Sequence, residues 1–313
     1  MLRVGVIGVG TWGQKHARVY ASLENVRLAG VCDPDEAVGR EVAEKYKTQY
    51  FPHTEDLFGQ VDAVSVVAPT AHHAEIGCAF LAGGVDVLVE KPMAGTLEEA
   101  DRLIETARRH GRVLQVGHLE RFNPAVIALR PILNDPRFFE IHRLGVFSPR
   151  SLDIDVVLDV MIHDLDILTS LVPSPVAAVR AVGIPILTDK IDIANARIEF
   201  ENGCVANVTA SRVSSERVRK IRFFQPNSYI SLDYDRQTVS VYSLVPSDGP
   251  LGKDILTHNL VVAPYEPLRA ELESFIACVE RRAEPQCRGE DGRRALALAF
   301  EVLGHMAGGR ARA

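Results

Sequence analysis

The sequence predicts an α/β fold in two parts: a doubly wound parallel sheet first, then an α+β domain with a large, mostly antiparallel sheet. Three observations predict it. Short apolar runs alternate with amphipathic stretches over residues 3–116, a glycine-rich turn follows the first run, and the pattern changes to period two between Val176 and Val262. Continuous apolar strands that alternate with helices are typical of a parallel sheet covered on both faces, the Rossmann arrangement.

Five apolar runs supply the predicted strands of the N-terminal sheet. They are Arg3–Ile7, Leu28–Cys32, Ala63–Val67, Val85–Val89 and Val113–Val116. Helical patterns lie between them, with the apolar side chains on one face. Right-handed crossovers between parallel strands then give a doubly wound sheet. We assign residues 1–118 to this nucleotide-binding domain.

The rest of the chain, residues 119–313, is assigned to a substrate-binding and oligomerisation domain. Helices are predicted at Pro124–Leu133, Val156–Leu171, Glu266–Arg281 and Asp291–Ala307. Period-two strands are predicted at Phe138–Phe147, Asn195–Phe200, Val205–Ala210, Lys220–Phe224, Tyr229–Leu232 and Thr238–Tyr242. Turn residues separate these strands, which indicates an antiparallel or mixed sheet. Because a sheet with one exposed face normally finds a partner, we expect a homodimer or homotetramer.

Composition restricts the class of protein. Of 313 residues, 47% are hydrophobic and 24% are charged, which is typical of a globular protein. The net charge of -6 argues against nucleic acid or an anionic membrane as a partner, because both require concentrated positive charge. No apolar run approaches the ~18 residues that span a bilayer, and no signal peptide is expected before the first strand. Five dispersed cysteines fit reduced thiols, so we expect a cytoplasmic protein.

The turn Gly8-Val9-Gly10-Thr11-Trp12-Gly13 has the spacing of a dinucleotide-binding loop. Gly8 would allow the tight turn, Gly10 the approach of the pyrophosphate, and Gly13 the packing of helix on strand. Asp33 ends the second strand about twenty residues further on, where a carboxylate accepts hydrogen bonds from ribose hydroxyls. A carboxylate repels a 2′-phosphate, so Asp33 favours NAD over NADP. The simpler alternative is a glycine turn and a helix-capping aspartate.

A second polar segment, Pro69-Thr70-Ala71-His72-His73, follows the third predicted strand and so lies at the same edge of the sheet. Pro69 and Thr70 are predicted to contact the cofactor, Thr70 at the ribose or nicotinamide. His73 is predicted to line the cleft. The alternative, that Thr70 caps the next helix and the histidines are solvated, has equal weight.

Glu90-Lys91-Pro92 follows the fourth predicted strand. When a secondary alcohol gives up a hydride, negative charge develops on its oxygen, and a fixed cation such as the Lys91 ammonium stabilises that charge. Glu90 is predicted to orient Lys91 or the nicotinamide amide, and both Glu90 and Lys91 are predicted to contact the cofactor. Pro92 fixes φ and shapes the corner. The alternative is a solvated lysine at a strand end.

The predicted helix over residues 156–168 is apolar on almost every side. Asp159, His163 and Asp166 are spaced by four and three residues, so we expect them to form one stripe along this helix. Unpaired burial of such groups is costly, so they must meet a cavity, a partner or a ligand. His163 is a candidate acid/base, with Asp159 as its orienting residue or a ligand of a substrate hydroxyl. The alternatives are a satisfied buried polar cluster and, with less support, a metal site.

A basic run lies further along the chain, and the acidic residue within it is Glu216. It consists of Arg212, Arg217, Arg219, Lys220 and Arg222. Such a run could hold a substrate diphosphate. The preferred interpretation is a solvated sheet face or an oligomer contact.

Together these residues resemble the Gfo/Idh/MocA oxidoreductases. The motifs that carry the resemblance are the glycine loop, Pro69-Thr70-Ala71-His72-His73, Glu90-Lys91-Pro92, Gly117-His118-Leu119-Glu120-Arg121-Phe122 and Asp159/His163/Asp166. The resemblance implies a nicotinamide-dependent dehydrogenase of sugar or polyol hydroxyls. It implies that Lys91, Asp159 and His163 are catalytic. It also implies a substrate site with Arg121, Asp159, His163 and Asp166.

The segments Glu120–Pro124 and Arg219–Arg222 look most like a subgroup of this family that oxidises UDP-N-acetylglucosamine at its 3-hydroxyl. That implies a sugar-nucleotide substrate and a 3-keto product used for an amino sugar of lipid A or a surface glycan. One departure is Pro149–Val156, where the family usually has a glycine-rich run. Two alternatives stay open: the same chemistry on a free sugar or polyol of the inositol or glucose type, and a non-catalytic regulator that senses NAD. The complete Lys/Asp/His set argues against the regulator.

Overall fold

The structure, a computed structural model, describes residues 1–148 and 154–310, with side chains as far as Met306. The chain divides into two units. One contains Met1–Leu119 and Glu266–Arg293, and the other contains Glu120–Tyr265 and the chain from Arg294. Most of the departing segment Pro149–Val156 lies outside the described residues.

The first unit is built on a six-stranded parallel sheet with strand order β3-β2-β1-β4-β5-β6, which confirms the predicted Rossmann arrangement. Its strands are β1 (Leu2–Ile7), β2 (Val26–Cys32), β3 (Gln49–Phe51), β4 (Ala63–Val66), β5 (Asp86–Glu90) and β6 (Leu114–Gly117). Its connecting helices are α1 (Gly13–Ala21), α2 (Glu36–Tyr46), α3 (His73–Ala82) and α4 (Leu97–His110). The sheet order reverses between β1 and β4, the point at which open α/β sheets bind ligands.

The second unit contains an eight-stranded sheet with strand order β14-β13-β12-β11-β7-β10-β9-β8. The pair β7 and β10 is parallel and the other pairs are antiparallel, so the predicted mostly antiparallel sheet is confirmed. The strands are β7 (Phe138–Leu144), β8 (Val176–Ile184), β9 (Ile193–Phe200), β10 (Val205–Ser211), β11 (Val218–Gln225), β12 (Ser228–Asp233), β13 (Thr238–Pro246) and β14 (Lys253–Asn259). Its helices are α5 (Pro124–Leu129) and α6 (Ile162–Leu171). Helix α7 (Pro267–Arg281) belongs to the first unit, and α8 (Gly289–Arg310) begins in the first unit and continues in the second.

Helix α7 differs from the sequence-based assignment, which gave the whole chain after residue 118 to the second domain. The structure groups Glu266–Arg293 with the first unit. Leu272, Phe275 and Ile276 of α7 are buried in the same apolar cluster as Tyr20 of α1. The segment joins the first unit because packing these side chains against that unit's sheet and helices removes their apolar surface from water.

The helix predicted over Val156–Leu171 is not uniform. A π-helical turn, Val157–Met161, precedes α6. Because a π turn closes an i→i+5 hydrogen bond, it shifts Asp159 out of the register that 3.6 residues per turn would give it relative to His163. In the described residues 1–148 and 154–310, no helix is long and apolar enough to cross a membrane.

Candidate active site

The glycine loop after β1 is constrained by the protein itself at two positions. Gly8 has a φ of +83°, and a Cβ there would lie 2.7 Å from the Ala68 backbone nitrogen. A Cβ at Gly13 would lie 1.8 Å from the Gly8 carbonyl oxygen. At Gly10, by contrast, no atom of the described chain would come within 4 Å of a Cβ. The space at Gly10 therefore suits a ligand that must approach the backbone.

That loop opens onto a cavity of about 710 Å³ within the first unit. Gly8, Gly10, Asp33 and Pro69 line it, as predicted for a dinucleotide site. Sequence reasoning missed another part of its lining, which comes from the segment after β3: Pro52, His53, Thr54 and Glu55. The available signal was the pair of aromatic residues Tyr50-Phe51, because a further parallel strand there brings its carboxyl end to the same edge of the sheet.

Asp33 is half-buried at the end of β2, and both its carboxylate oxygens accept backbone hydrogen bonds. Oδ2 accepts from Val9 N at 2.7 Å, and Oδ1 accepts from Asp35 N at 2.9 Å. The helix cap is Asp35, whose Oδ1 accepts from Ala37 N at 3.0 Å and from Val38 N at 3.2 Å. Asp33 is thus held against the glycine loop, so a capping role does not explain it.

Glu90 is buried at the end of β5 and accepts three hydrogen bonds. Its Oε1 accepts from Trp12 Nε1 at 2.7 Å and lies 3.1 Å from His16 Nε2, and its Oε2 accepts from Lys91 N at 3.1 Å. Burial alone would raise the pKa of Glu90, but His16, Trp12 and Lys91 outweigh burial and lower it. An ionised Glu90 therefore joins the glycine loop and α1 to the corner that carries Lys91. His16 was missed, although it follows Trp12 by four residues and shares its helix face.

Lys91 is half-buried, and the Lys91–Pro92 peptide bond is cis. His73 supports this corner from the neighbouring strand end. Its Nδ1 lies 2.9 Å from Pro92 O and its Nε2 lies 2.7 Å from Ala68 O. The ring is buried, and burial lowers the pKa of His73 despite these carbonyls. The expectation that His73 lines the cleft is therefore wrong for its side chain, which bonds to the protein backbone.

The remaining predicted cofactor contacts lie on exposed or half-buried turns of the first unit. Thr11 is exposed and Trp12 half-buried in the glycine loop. Pro69 lies at the cavity, and Thr70 begins a 3₁₀ turn that ends at His72. Helix α3 begins without a side-chain cap, so the capping alternative for Thr70 is wrong.

In the second unit, the predicted stripe divides into two environments. Asp159 lies in the π turn and His163 in the first turn of α6, and both are half-buried. Asp166 is buried, and its carboxylate accepts two hydrogen bonds from Arg121, at 2.8 Å from Nε and 2.7 Å from Nη2. Arg121 and Asp166 therefore bind each other, and direct substrate binding by either residue stays a prediction.

A second buried pair was missed. Arg143 of β7 donates from Nε to Asp164 Oδ2 at 2.7 Å and from Nη2 to Asp164 Oδ1 at 2.8 Å. Its third contact, from Nη1, reaches Glu120 Oε1 at 2.9 Å. A signal for this pair was available in the sequence. Periodicity places both Arg143 and Asp164 in the core, and buried charges require partners.

The basic run around β11 has more acidic side chains near it than the sequence indicated. Arg217 makes a two-point contact with Asp235, and Arg222 lies 3.3 Å from Glu140. Lys220 lies 3.8 Å from Asp233. The acids come from other segments of the sheet, so the preferred interpretation as a sheet face describes these residues better than a diphosphate site.

Comparison with known proteins gives two family matches. Residues 2–118 match the model for the oxidoreductase family with an NAD-binding Rossmann fold, Gfo/Idh/MocA, and residues 142–225 match the model for its C-terminal domain. UDP-N-acetylglucosamine 3-dehydrogenase from Acidithiobacillus ferrooxidans is 40% identical over 96% of both chains. A solved structure of that enzyme superposes with a TM-score of 0.92, covering 97% of both chains. Myo-inositol 2-dehydrogenase from Thermotoga maritima is 28% identical over 96% of this chain and 94% of its own.

Proposed function

The chain belongs to the Gfo/Idh/MocA oxidoreductase family, and we propose that it oxidises the 3-hydroxyl of UDP-N-acetylglucosamine with NAD. The observation that carries this substrate is the 40% identity to the dehydrogenase of that name, which extends over both units. The product would be a 3-keto sugar nucleotide, the form in which a 3-amino group can be introduced for lipid A or another glycan.

The residues of the chain take the following roles in this proposal. The Lys91 ammonium stabilises the negative charge that develops on the substrate oxygen. His163 accepts the hydroxyl proton, and Asp159 orients the imidazole or binds a neighbouring hydroxyl. When bound, NAD supplies the hydride acceptor. The open space at Gly10, the constrained turn at Gly8 and the anchored Asp33 fit a dinucleotide in the cavity of the first unit.

Replacing Asp33 by asparagine is expected to narrow the preference for NAD over NADP. The amide oxygen can still accept from Val9 N, although the bond from Asp35 N is lost, and the charge that repels a 2′-phosphate is removed. A charge-assisted interaction is worth about 1.5–3 kcal/mol. We therefore expect the ratio of kcat/KM with NAD to kcat/KM with NADP to fall by about tenfold or more. Steady-state kinetics with both cofactors measures it.

Asp35→Asn is the matched control for this experiment. It removes an equal charge two residues away, and asparagine caps a helix as well as aspartate does, so α2 keeps its cap. If the ratio of kcat/KM with NAD to that with NADP changes equally in both variants, the net negative charge of this segment, and not Asp33 itself, sets the cofactor preference.

The second candidate function is the same chemistry on a free polyol, favoured by the inositol dehydrogenase among the relatives. A turnover assay with NAD separates the two: we expect NADH from UDP-N-acetylglucosamine and little from myo-inositol, with UDP as a competitive inhibitor. Turnover of myo-inositol that UDP does not inhibit would support the second candidate. Absence of turnover with either, together with a protein partner bound only in the presence of NAD, would support the regulator.

We infer a homo-oligomer from the outer face of the large sheet. Four aromatic rings form a row across its strands: Phe138 and Phe224 at 6.0 Å, Phe224 and Tyr229 at 4.8 Å, and Tyr229 and Tyr242 at 5.0 Å. Phe224 is 41% exposed, and such rings are enriched in interfaces. Light scattering is expected to give at least two chains, and Tyr242→Glu to favour the monomer. An unchanged mass in Tyr242→Glu would place the interface elsewhere.

The proposed location is the cytoplasm. In the described part of the chain Cys32, Cys78, Cys204 and Cys278 form no disulfide, as in proteins that fold under reducing conditions.

A further inference from the structure

Two aspartates of α6 flank the candidate base. At 3.6 residues per turn, Asp164 lies about 100° around the helix axis from His163, and Asp166 lies about 60° in the opposite direction. Both aspartates are buried, whereas His163 is half-buried. The rotational setting of α6, which carries His163, therefore depends on what holds these two neighbours.

Each aspartate is held by one arginine through two hydrogen bonds. Asp164 is bound by Arg143 at 2.7 and 2.8 Å, and Asp166 by Arg121 at 2.8 and 2.7 Å. Two parallel N–H···O bonds fix the relative orientation of guanidinium and carboxylate as well as their distance. With one pair on each side of His163, rotation of α6 in either direction would displace both carboxylates from their guanidinium partners.

The two pairs are also joined to each other. Glu120, the neighbour of Arg121, accepts from Arg143 Nη1 at 2.9 Å. Asn123 Nδ2 donates to Glu120 Oε2 at 3.1 Å and lies 3.1 Å from Tyr234 O. The turn Leu119–Phe122 is thereby tied to α6 at two points, through residues 120 and 121.

Stability alone is a poor explanation for this network. Five ionisable groups lie in the interior, and replacing buried ion pairs by apolar residues of similar volume is often neutral or stabilising. Arg143 also lies directly opposite Arg219 in the sheet, and like charges across strands are unfavourable. Burial lowers the pKa of Arg143, but Asp164 and Glu120 outweigh burial and raise it well above its ordinary value. The arrangement is costly, and what it provides is a fixed geometry.

We propose that Arg121 and Arg143 are positioning residues, which hold Asp166 and Asp164 so that the His163 imidazole keeps the orientation needed to accept the substrate proton. This proposal rests on the proposed function, because it gives His163 the role of base. It assigns Arg121 and Asp166 to the orientation of the helix in place of direct substrate contact.

The test compares Asp164→Asn with wild type, using UDP-N-acetylglucosamine with hydrogen or deuterium at C3. We expect kcat to fall by about 10- to 100-fold, since a displacement of about 1 Å can cost as much as 100-fold, while KM for NAD stays unchanged. We also expect the deuterium isotope effect on kcat to rise, because the chemical step becomes slower. Loss of folded enzyme cannot raise an isotope effect, so this readout separates positioning from stability.

Asp86→Asn is the matched control, because Asp86 is also buried and bound to an arginine, Arg282, at 2.6 Å in the first unit. We expect it to lower the melting temperature without changing the isotope effect. If Asp164→Asn does not fold, the variant Glu120→Gln/Arg143→Met/Asp164→Leu removes the three charges around Arg143, leaves the Arg121–Asp166 pair intact, and is expected to fold with low kcat. Wild-type kcat and isotope effect in either folded variant would overturn the proposal.

A failure of the proposed function gives a different result. If wild type does not oxidise UDP-N-acetylglucosamine, the substrate is wrong, and the same comparison is made on the sugar or polyol that it oxidises. Hydrogen exchange of a peptide covering residues 162–168 needs no substrate: we expect faster exchange there in Asp164→Asn than in wild type, and an unchanged rate in α2. Equal exchange of that peptide in both proteins would overturn the positioning role whatever the substrate is.

Discussion

Lys91→Ala is expected to lower kcat with UDP-N-acetylglucosamine by about 100-fold or more, because removing one group that stabilises developing charge usually costs that much. Affinity for NAD should fall much less than kcat, since contacts of Gly8 and Asp33 shape the glycine loop and its cavity. The single tryptophan, Trp12, lies in the glycine loop, so quenching of its fluorescence measures cofactor binding separately from turnover.

Lys45→Ala is the control for that variant, because it removes a lysine from the last turn of α2, outside the predicted site. Lys91→Arg adds a second comparison: the charge remains, but a planar guanidinium replaces a compact ammonium, so we expect partial activity. Near-wild-type kcat in Lys91→Ala would show that Lys91 is a solvated lysine at a strand end.

His163→Asn has the second large expected effect. A positioned base contributes about 10²- to 10⁴-fold, so kcat should fall within that range. The decrease of kcat towards acid pH should also disappear, because the group that must lose its proton before catalysis is absent. Added imidazole should restore part of the activity, and a pH series of initial rates with and without imidazole measures both effects.

His110→Asn is the control for that series, since His110 is exposed at the end of α4. A His163→Asn variant that keeps both wild-type kcat and the wild-type pH profile would remove His163 from the mechanism. Asp159 would then be the remaining candidate base in the π turn.

The fold could be predicted where side chains alternate between core and solvent with a regular period. Strand β7, in which Phe139, Ile141 and Arg143 are buried and the residues between them are not, is one example. Strand β14 (Lys253–Asn259) is exposed along its whole length and so carries no such period. The placement of α7 could not be predicted for another reason: the apolar face of a helix shows that it is covered, not which sheet covers it.

Candidate site residues could be assigned where they belong to one local motif. Hydrogen-bond partners that are distant in the sequence could not be assigned. Gly8 and Asp33 belong to one βαβ unit with known geometry, and Glu90 lies next to Lys91, whose backbone nitrogen it binds. Arg143 and Asp164 are 21 residues apart, and nothing local in the sequence connects them. The inward direction of His73 depends on Pro92 in the same way.

The measurement that tests the central claim most directly is the fate of a deuterium placed at C3 of UDP-N-acetylglucosamine. The enzyme is incubated with that substrate and NAD, and both products are analysed by mass spectrometry. We predict that the reduced cofactor carries the deuterium and that the sugar nucleotide becomes a 3-ketone without it. Unlabelled NADH with a ketone at another carbon, or no NADH with this substrate, would contradict the account.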